Sequence, residues 1–141
     1  MTEHFKLEEF IRSSTAQQLG IDNTPSEEVI LNLRNLCEKV LEPLRQWYGK
    51  PISISSGYRC PALNRAVAGV TKSQHLKGEA ADIRLPSIAI GRKMLEYIVF
   101  HLPYDQVIWE HNTDGLYWIH VSLKRDPRKN RLHYIPYLLK A

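Results

Sequence analysis

Two histidines and an aspartate stand in this chain at positions where they can act together. His75 and Asp82 bracket the run Ser73-Gln74-His75-Leu76-Lys77-Gly78-Glu79-Ala80-Ala81-Asp82, and His120 lies in Trp118-Ile119-His120-Val121-Ser122. Imidazole nitrogen and carboxylate oxygen are the donors of a hydrolytic zinc, which takes three protein ligands at about 2.0–2.2 Å and keeps a fourth position for water. Gly78 permits a sharp turn between the first two donors, and the apolar segment Ala80 to Ile83 reads as a strand carrying Asp82. Alternation in the second run sets Trp118, His120 and Ser122 on one face and Ile119 and Val121 on the other. His75, Asp82 and His120 are therefore the expected ligands of a Zn2+ ion in a cleft. His4, His101, His111 and His133 have no such company and read as surface or hydrogen-bonded residues.

Hydrolysis at such a centre needs a general base, usually a carboxylate tuned by its surroundings. Glu110 closes the apolar stretch Val107-Ile108-Trp109, whereas Asp114 sits in the turn Asn112-Thr113-Asp114-Gly115 between two strands. A carboxylate at a hairpin tip faces solvent, while one at the end of a buried strand can stand beside the strand bearing His120. Glu110 is the expected base, with Asp114 as the fallback.

Ser-x-His-x-x-Gly-x-Ala-x-Asp, followed by Trp-Ile-His-Val-Ser, resembles the D-alanyl-D-alanine metallopeptidase family, whose zinc site groups it with the hedgehog signalling domain and lysostaphin-type enzymes. The segment Ile54-Ser55-Ser56-Gly57-Tyr58-Arg59-Cys60-Pro61, with Leu63-Asn64 and Val67-Ala68-Gly69, is similar to the family's stretch before the zinc loop. Phe5 to Ile21 resembles the opening helix of its phage-type and small bacterial members. Ala68 departs from the Gly-Gly common in relatives, and Tyr117 and Trp118 stand where subgroups carry an acid or a histidine. The resemblance implies a zinc peptidase of bacterial cell-wall peptides and a hedgehog/DD-peptidase-like fold. It also supports Glu110 as base, and it implies that Arg59, in the pair Tyr58-Arg59, polarises the scissile carbonyl or holds a substrate carboxylate. Ser73 and Gln74 are expected to orient substrate or the ligands, and Trp118 to wall the cleft.

The elements that must position these residues follow from periodicity and punctuation. Phe5 to Leu19 reads as a short helix ending near Gly20. Thr24 is the expected N-cap of a helix with Pro25 at its first position and Glu27 closing a capping box. Val29, Leu33, Leu36, Val40, Leu41 and Leu44 form its buried stripe, and Pro43 is expected to kink it. Ile52–Ser55 reads as a strand, Pro61–Val67 as a short helix and Ala80–Arg84 as a central strand. Ser87 caps a helix with Ile90, Met94, Leu95, Ile98 and Val99 inward, stopped by Pro103. Gln106–Glu110 and Tyr117–Leu123 form a hairpin, and Leu132–Ile135 adds an edge strand. This order predicts one α+β domain over residues 1–141, its helices packed on one face of a small, mainly antiparallel sheet.

Composition agrees with one compact enzyme: 141 residues, 43% hydrophobic, formal net charge +4. The basic run Lys124-Arg125-Asp126-Pro127-Arg128-Lys129-Asn130-Arg131 reads as a solvated loop, and no aromatic-basic interleaving points to nucleic acid. Cys37 falls on an apolar helix face and Cys60 precedes Pro61; neither reads as a ligand or as part of a disulfide scaffold. The first residues lack the apolar core of a signal peptide and no run approaches a membrane span. Synthesis in the cytoplasm and release to the cell wall by lysis, as for a phage or prophage product, is expected, with a monomer acting on peptidoglycan peptides. The contrasting expectation is a zinc-containing module that binds cell wall, or builds a phage particle, without catalysis.

Overall fold

The computed structural model describes residues 1–140. Its chain order is α1 (Glu8–Ile11), α2 (Ser14–Leu19), α3 (Glu27–Leu36), α4 (Glu42–Tyr48), β1 (Ser53–Ser56), α5 (Pro61–Ala66), β2 (Ala80–Arg84), α6 (Ile88–His101), β3 (Gln106–Asn112), β4 (Tyr117–Ser122) and β5 (His133–Lys140). The strands form one sheet in the order β1-β2-β4-β3-β5, antiparallel except for β5, which runs parallel to β3. The fold is α+β, as expected. β4, and not β2, is its middle strand.

One face of this sheet is apolar. Ala81, Ile83, Val107, Trp109, Ile119 and Val121 are all fully buried there and join Leu33, Leu36, Val40, Leu41 and Leu44 from the long helical unit and Met94 and Ile98 from α6 in one core. The Arg92 guanidinium of α6 lies 4.0 Å from the centre of the Trp109 ring, so a cation covers the largest aromatic of that layer. The opposite face, carrying Asp82, Glu110, Trp118 and His120, is left for chemistry.

Three local expectations are corrected. The first helix divides, because Arg12 is extended and Ser13 caps a second helix by accepting from the Ala16 N–H. Thr24 does not cap α3: its N–H and hydroxyl both donate to Asp22, and Ser26 caps instead, accepting from Val29 N–H at 3.2 Å. Pro43, expected to kink the long helix, is accommodated within it. Lacking an N–H, it is preceded by a π-helical turn, Cys37–Leu41, in which Glu42 N–H reaches back to Cys37, and the helix continues to Tyr48. β5 extends to Lys140, well beyond Ile135. Its pairing with β3 slips by one residue between Ile108↔Ile135 and Glu110↔Leu138, so that Pro136 sits at a bulge, where its missing donor does little harm.

Ala68 has φ 56°, in the left-handed region. An L-residue there costs roughly 1–2 kcal/mol and glycine gives part of this back as backbone entropy, so Ala68→Gly should stabilise the fold by about 0.5–1 kcal/mol in urea unfolding. A destabilised variant would show that the alanine methyl contributes packing which outweighs the strain. The N-terminal segment is tied down by His4, whose backbone N–H and ring Nδ1 meet the Glu42 carboxylate at 2.9 and 2.6 Å. Burial pushes the Glu42 carboxyl up, but hydrogen bonds from His4, Thr2 and Gln46 prevail and hold it at about 2, below the ordinary 4.5. A carboxylate depressed on folding stabilises fully above the unfolded value and loses that contribution as pH falls through the folded one. The stability advantage of wild type over Glu42→Gln should therefore shrink between about pH 4.5 and 2; a pH-independent difference would show that the tether carries no charge-dependent stability.

Candidate metal centre and catalytic cleft

Strand register sets the first pair of donors. Asp82 of β2 stands directly opposite His120 of β4, and residues opposite one another across antiparallel strands project from the same face. His75 comes from a short 3-10 turn, Gln74–Lys77, immediately before β2. Gly78 ends that turn at φ 71°, and a Cβ there would press into Val29 and Leu33, so the turn can lie against α3 only with glycine. Ser73 Oγ caps the turn, accepting from the His75 N–H at 3.2 Å.

The three side chains converge. His75 Nε2 and His120 Nδ1 lie 3.3 and 3.2 Å from Asp82 Oδ1. Donors held 2.0–2.2 Å from a tetrahedral ion lie about 3.3–3.6 Å apart, so the cluster fits zinc with little adjustment. The nitrogens facing away from the cluster fix the tautomers. His75 Nδ1 is 2.6 Å from the Gly57 carbonyl, which can only accept, so Nε2 is left free to ligate. His120 Nε2 is 3.1 Å from Gln74 Oε1, which likewise leaves Nδ1 free. Burial alone would raise the Asp82 carboxyl, but when His75 and His120 are protonated their charge and hydrogen bonds outweigh it and hold the group far below the usual carboxylate range. Such a group stays anionic, as a ligand must.

Sequence reasoning missed what stands behind Gln74. Its Nε2 donates to Asp105 Oδ2 at 2.7 Å, and Asp105 is fully buried at the start of β3. The Arg131 backbone N–H, Nε and Nη2 all donate to the Asp105 carboxylate, at 2.8, 3.1 and 2.9 Å. Burial pushes the Asp105 carboxyl up, yet these hydrogen bonds and the charges of Arg131 and Lys124 keep it below its ordinary value. A chain of polar contacts thus runs from Arg131 through Asp105 and Gln74 to His120. No motif marks Asp105 or Arg131; only the meeting of β3 with the basic loop reveals them. That loop is exposed, and its arginines are paired: Arg125 binds Asn32, Arg128 binds Asp126 and Arg131 binds Asp105.

The cluster opens into a cleft of about 600 Å³ lined by Arg59, Ser73, Gln74, Glu110 and Trp118 among others. Glu110 is buried opposite Trp118 on β3, with Oε1 3.8 Å from His120 Nδ1 and Oε2 3.2 Å from the Lys140 ammonium. Asp114 is exposed at the hairpin tip, its N–H bonded to Asn112. Arg59 Nη2 donates to Ser73 Oγ, while its Nε is buried and meets no acceptor. Burial lowers the Arg59 pKa, partly offset by the charges of Asp82 and Glu110. Tyr117 points to the other face, against His111 and Trp109. Both cysteines are free thiols, and burial pushes Cys37 up to about 12, which leaves it inert.

A small α+β sheet thus presents two imidazoles and one carboxylate that could hold a metal ion, with a further acid beside them, to a polar cleft. The family model for peptidase M15 matches residues 3–122, and the chain belongs to that family of zinc metallopeptidases. None of the curated proteins compared with the chain matches it. No helix among the described residues is long and apolar enough to cross a membrane.

The outer contacts of a ligand histidine typically carry 10–100-fold of metal affinity. Gln74→Ala should weaken zinc binding by about that factor, and Asp105→Asn in the same direction, in competition with a chelator of known affinity. Unchanged affinity in both variants would show that the chain behind His120 supports the fold alone.

Proposed function

We propose that this protein hydrolyses a peptide bond in the stem peptides of bacterial peptidoglycan, either D-Ala-D-Ala as a carboxypeptidase or L-Ala-D-Glu as an endopeptidase. The observation that carries the reading is the convergence of His75 Nε2, Asp82 Oδ1 and His120 Nδ1, with Glu110 alongside, in a cleft within the family-matched region. These three residues would hold zinc, which supplies Lewis-acid activation of water and of the scissile carbonyl when bound.

The chain's own groups divide the remaining work. Glu110 Oε1 faces the ligand cluster and takes the proton of the attacking water, then delivers it to the leaving amine. Its burial beside Trp118 keeps bulk water from competing for that proton. Arg59 brings a buried N–H without an acceptor to the same cleft, and a guanidinium suits the oxyanion that develops on the carbonyl or a carboxylate of the substrate. Ser73 holds the Arg59 guanidinium, Gln74 steadies His120, and Trp118 walls the space for the peptide. Exposure of Asp114 at the hairpin tip argues against it as the base.

Purified peptidoglycan incubated with zinc-loaded protein should yield muropeptide products whose masses identify the bond. Glu110→Gln should keep zinc but lower the rate by at least about 100-fold, the usual scale of general-base catalysis. His75→Ala should lose stoichiometric metal. Full activity of Glu110→Gln would remove that residue from the chemistry; binding of wall peptide without product by the zinc-loaded wild type would favour a non-catalytic wall-binding module.

A further inference from the structure

The family match ends at residue 122, and β5 lies wholly beyond it. This strand nevertheless pairs with β3, which carries Glu110, and brings Lys140 to the cleft. The one-residue slip at Pro136 decides which side chains arrive. Beyond it Leu138 stands opposite Glu110 and Lys140 opposite Asn112, so that both share the cleft face of the sheet; an uninterrupted register would have turned Tyr137 and Leu139 that way. Burial follows the slipped register: Ile135, Leu138 and Lys140 are half-buried while Tyr137 and Leu139 are exposed.

Lys140 faces an oxygen that no hydrogen bond satisfies. Glu110 is 3% exposed, its Oε2 has no hydrogen-bond partner among the described residues, and the Lys140 ammonium lies 3.2 Å from it as an ion pair. Among the described residues no other lysine or arginine of the cleft pairs with Glu110; Arg131 is held on Asp105 and Arg59 on Ser73. We infer that Lys140 is a positioning residue for Glu110: it holds Oε2 from the rim so that Oε1 stays turned to the ligand cluster. The inference rests on the proposed role of Glu110 as base, and it assigns to β5 a part in the reaction rather than in folding alone. Lys140 is itself half-exposed on an edge strand, so its replacement leaves the core untouched.

The test compares Lys140→Met, which keeps the stem and removes the charge, with Lys140→Arg and with Glu110→Gln, all zinc-loaded and assayed on the muropeptide that the wild type cleaves. Lys140→Met should lower kcat roughly tenfold to hundredfold, the scale of a displaced catalytic group, with KM and zinc content unchanged. Lys140→Arg should recover most of the loss, and Lys140→Met should add nothing in the Glu110→Gln background. A Lys140→Met enzyme with full kcat beside an inactive Glu110→Gln enzyme would overturn the inference while sparing the base. A raised KM at constant kcat would overturn it too, making Lys140 a contact to substrate. The pair is also read without turnover, by nitrogen-15 spectra of lysine ammonium groups. One slowly exchanging ammonium, lost in both Lys140→Met and Glu110→Gln, is expected. Its absence from the wild type would refute the contact even if the protein cleaves no wall peptide at all, an outcome that would separately sink the peptidase reading.

Discussion

Asp82 and His120 face each other across β2 and β4, and the rest of the site is arranged around that pairing. Because side chains alternate along a strand, a slip of one residue would send one of the two donors into the apolar layer and an apolar side chain into the cleft. The core prevents this. Ala81 and Ile83 on β2, and Ile119 and Val121 on β4, are all fully buried beneath the helices, so a register that displaced either donor would also expose the two core side chains beside it on the same strand. At about 25 cal/mol per Å² of apolar surface, such exposure costs several kcal/mol, more than any single contact in the site supplies. Burial on one face thus fixes geometry on the other.

The third donor is held by different means. His75 comes from a turn, and turns have no register to discipline them. Its place depends on Gly78, which lets the turn pack against Val29 and Leu33, and on the Gly57 carbonyl, which takes the Nδ1 proton. Gly57 has its own constraint. A Cβ there would lie 2.6 Å from the Phe10 Cα, so the end of β1 approaches α1 too closely for any side chain. Backbone packing between the first helix and the first strand is in this way transmitted to the orientation of an imidazole.

These physical origins explain what could be read from the residues. The meeting of His75, Asp82 and His120 and the long helical stripe were legible because each depends on local spacing: His75 and Asp82 around a glycine, His120 in an alternating strand, Leu33, Leu36, Val40 and Leu44 on one helix face. Helix starts were misread where two capping residues competed, as Thr24 and Ser26 do, since the winner is decided by Asp22 engaging Thr24. Asp105 was invisible. Its role comes from Gln74 and Arg131, respectively 31 and 26 residues away in the chain, and no local pattern announces such a meeting. β5 runs on past Ile135 to Lys140 because an edge strand tolerates proline at a bulge.

That bulge also decides what β5 brings to the cleft. An edge strand that paired in perfect register would present Tyr137 and Leu139 to the cleft and leave Lys140 on the reverse side. One unpaired residue inverts the alternation and reverses the outcome for every residue that follows. Proline suits that residue because it has no N–H for the ladder to lose. The charge next to Glu110 is therefore set by backbone pairing at Pro136, four residues before Lys140, in a segment outside the region that matches the family. Edge strands are commonly viewed as liabilities to be shielded; here the edge carries a cation inward, and the same proline that interrupts the ladder also discourages pairing with another chain.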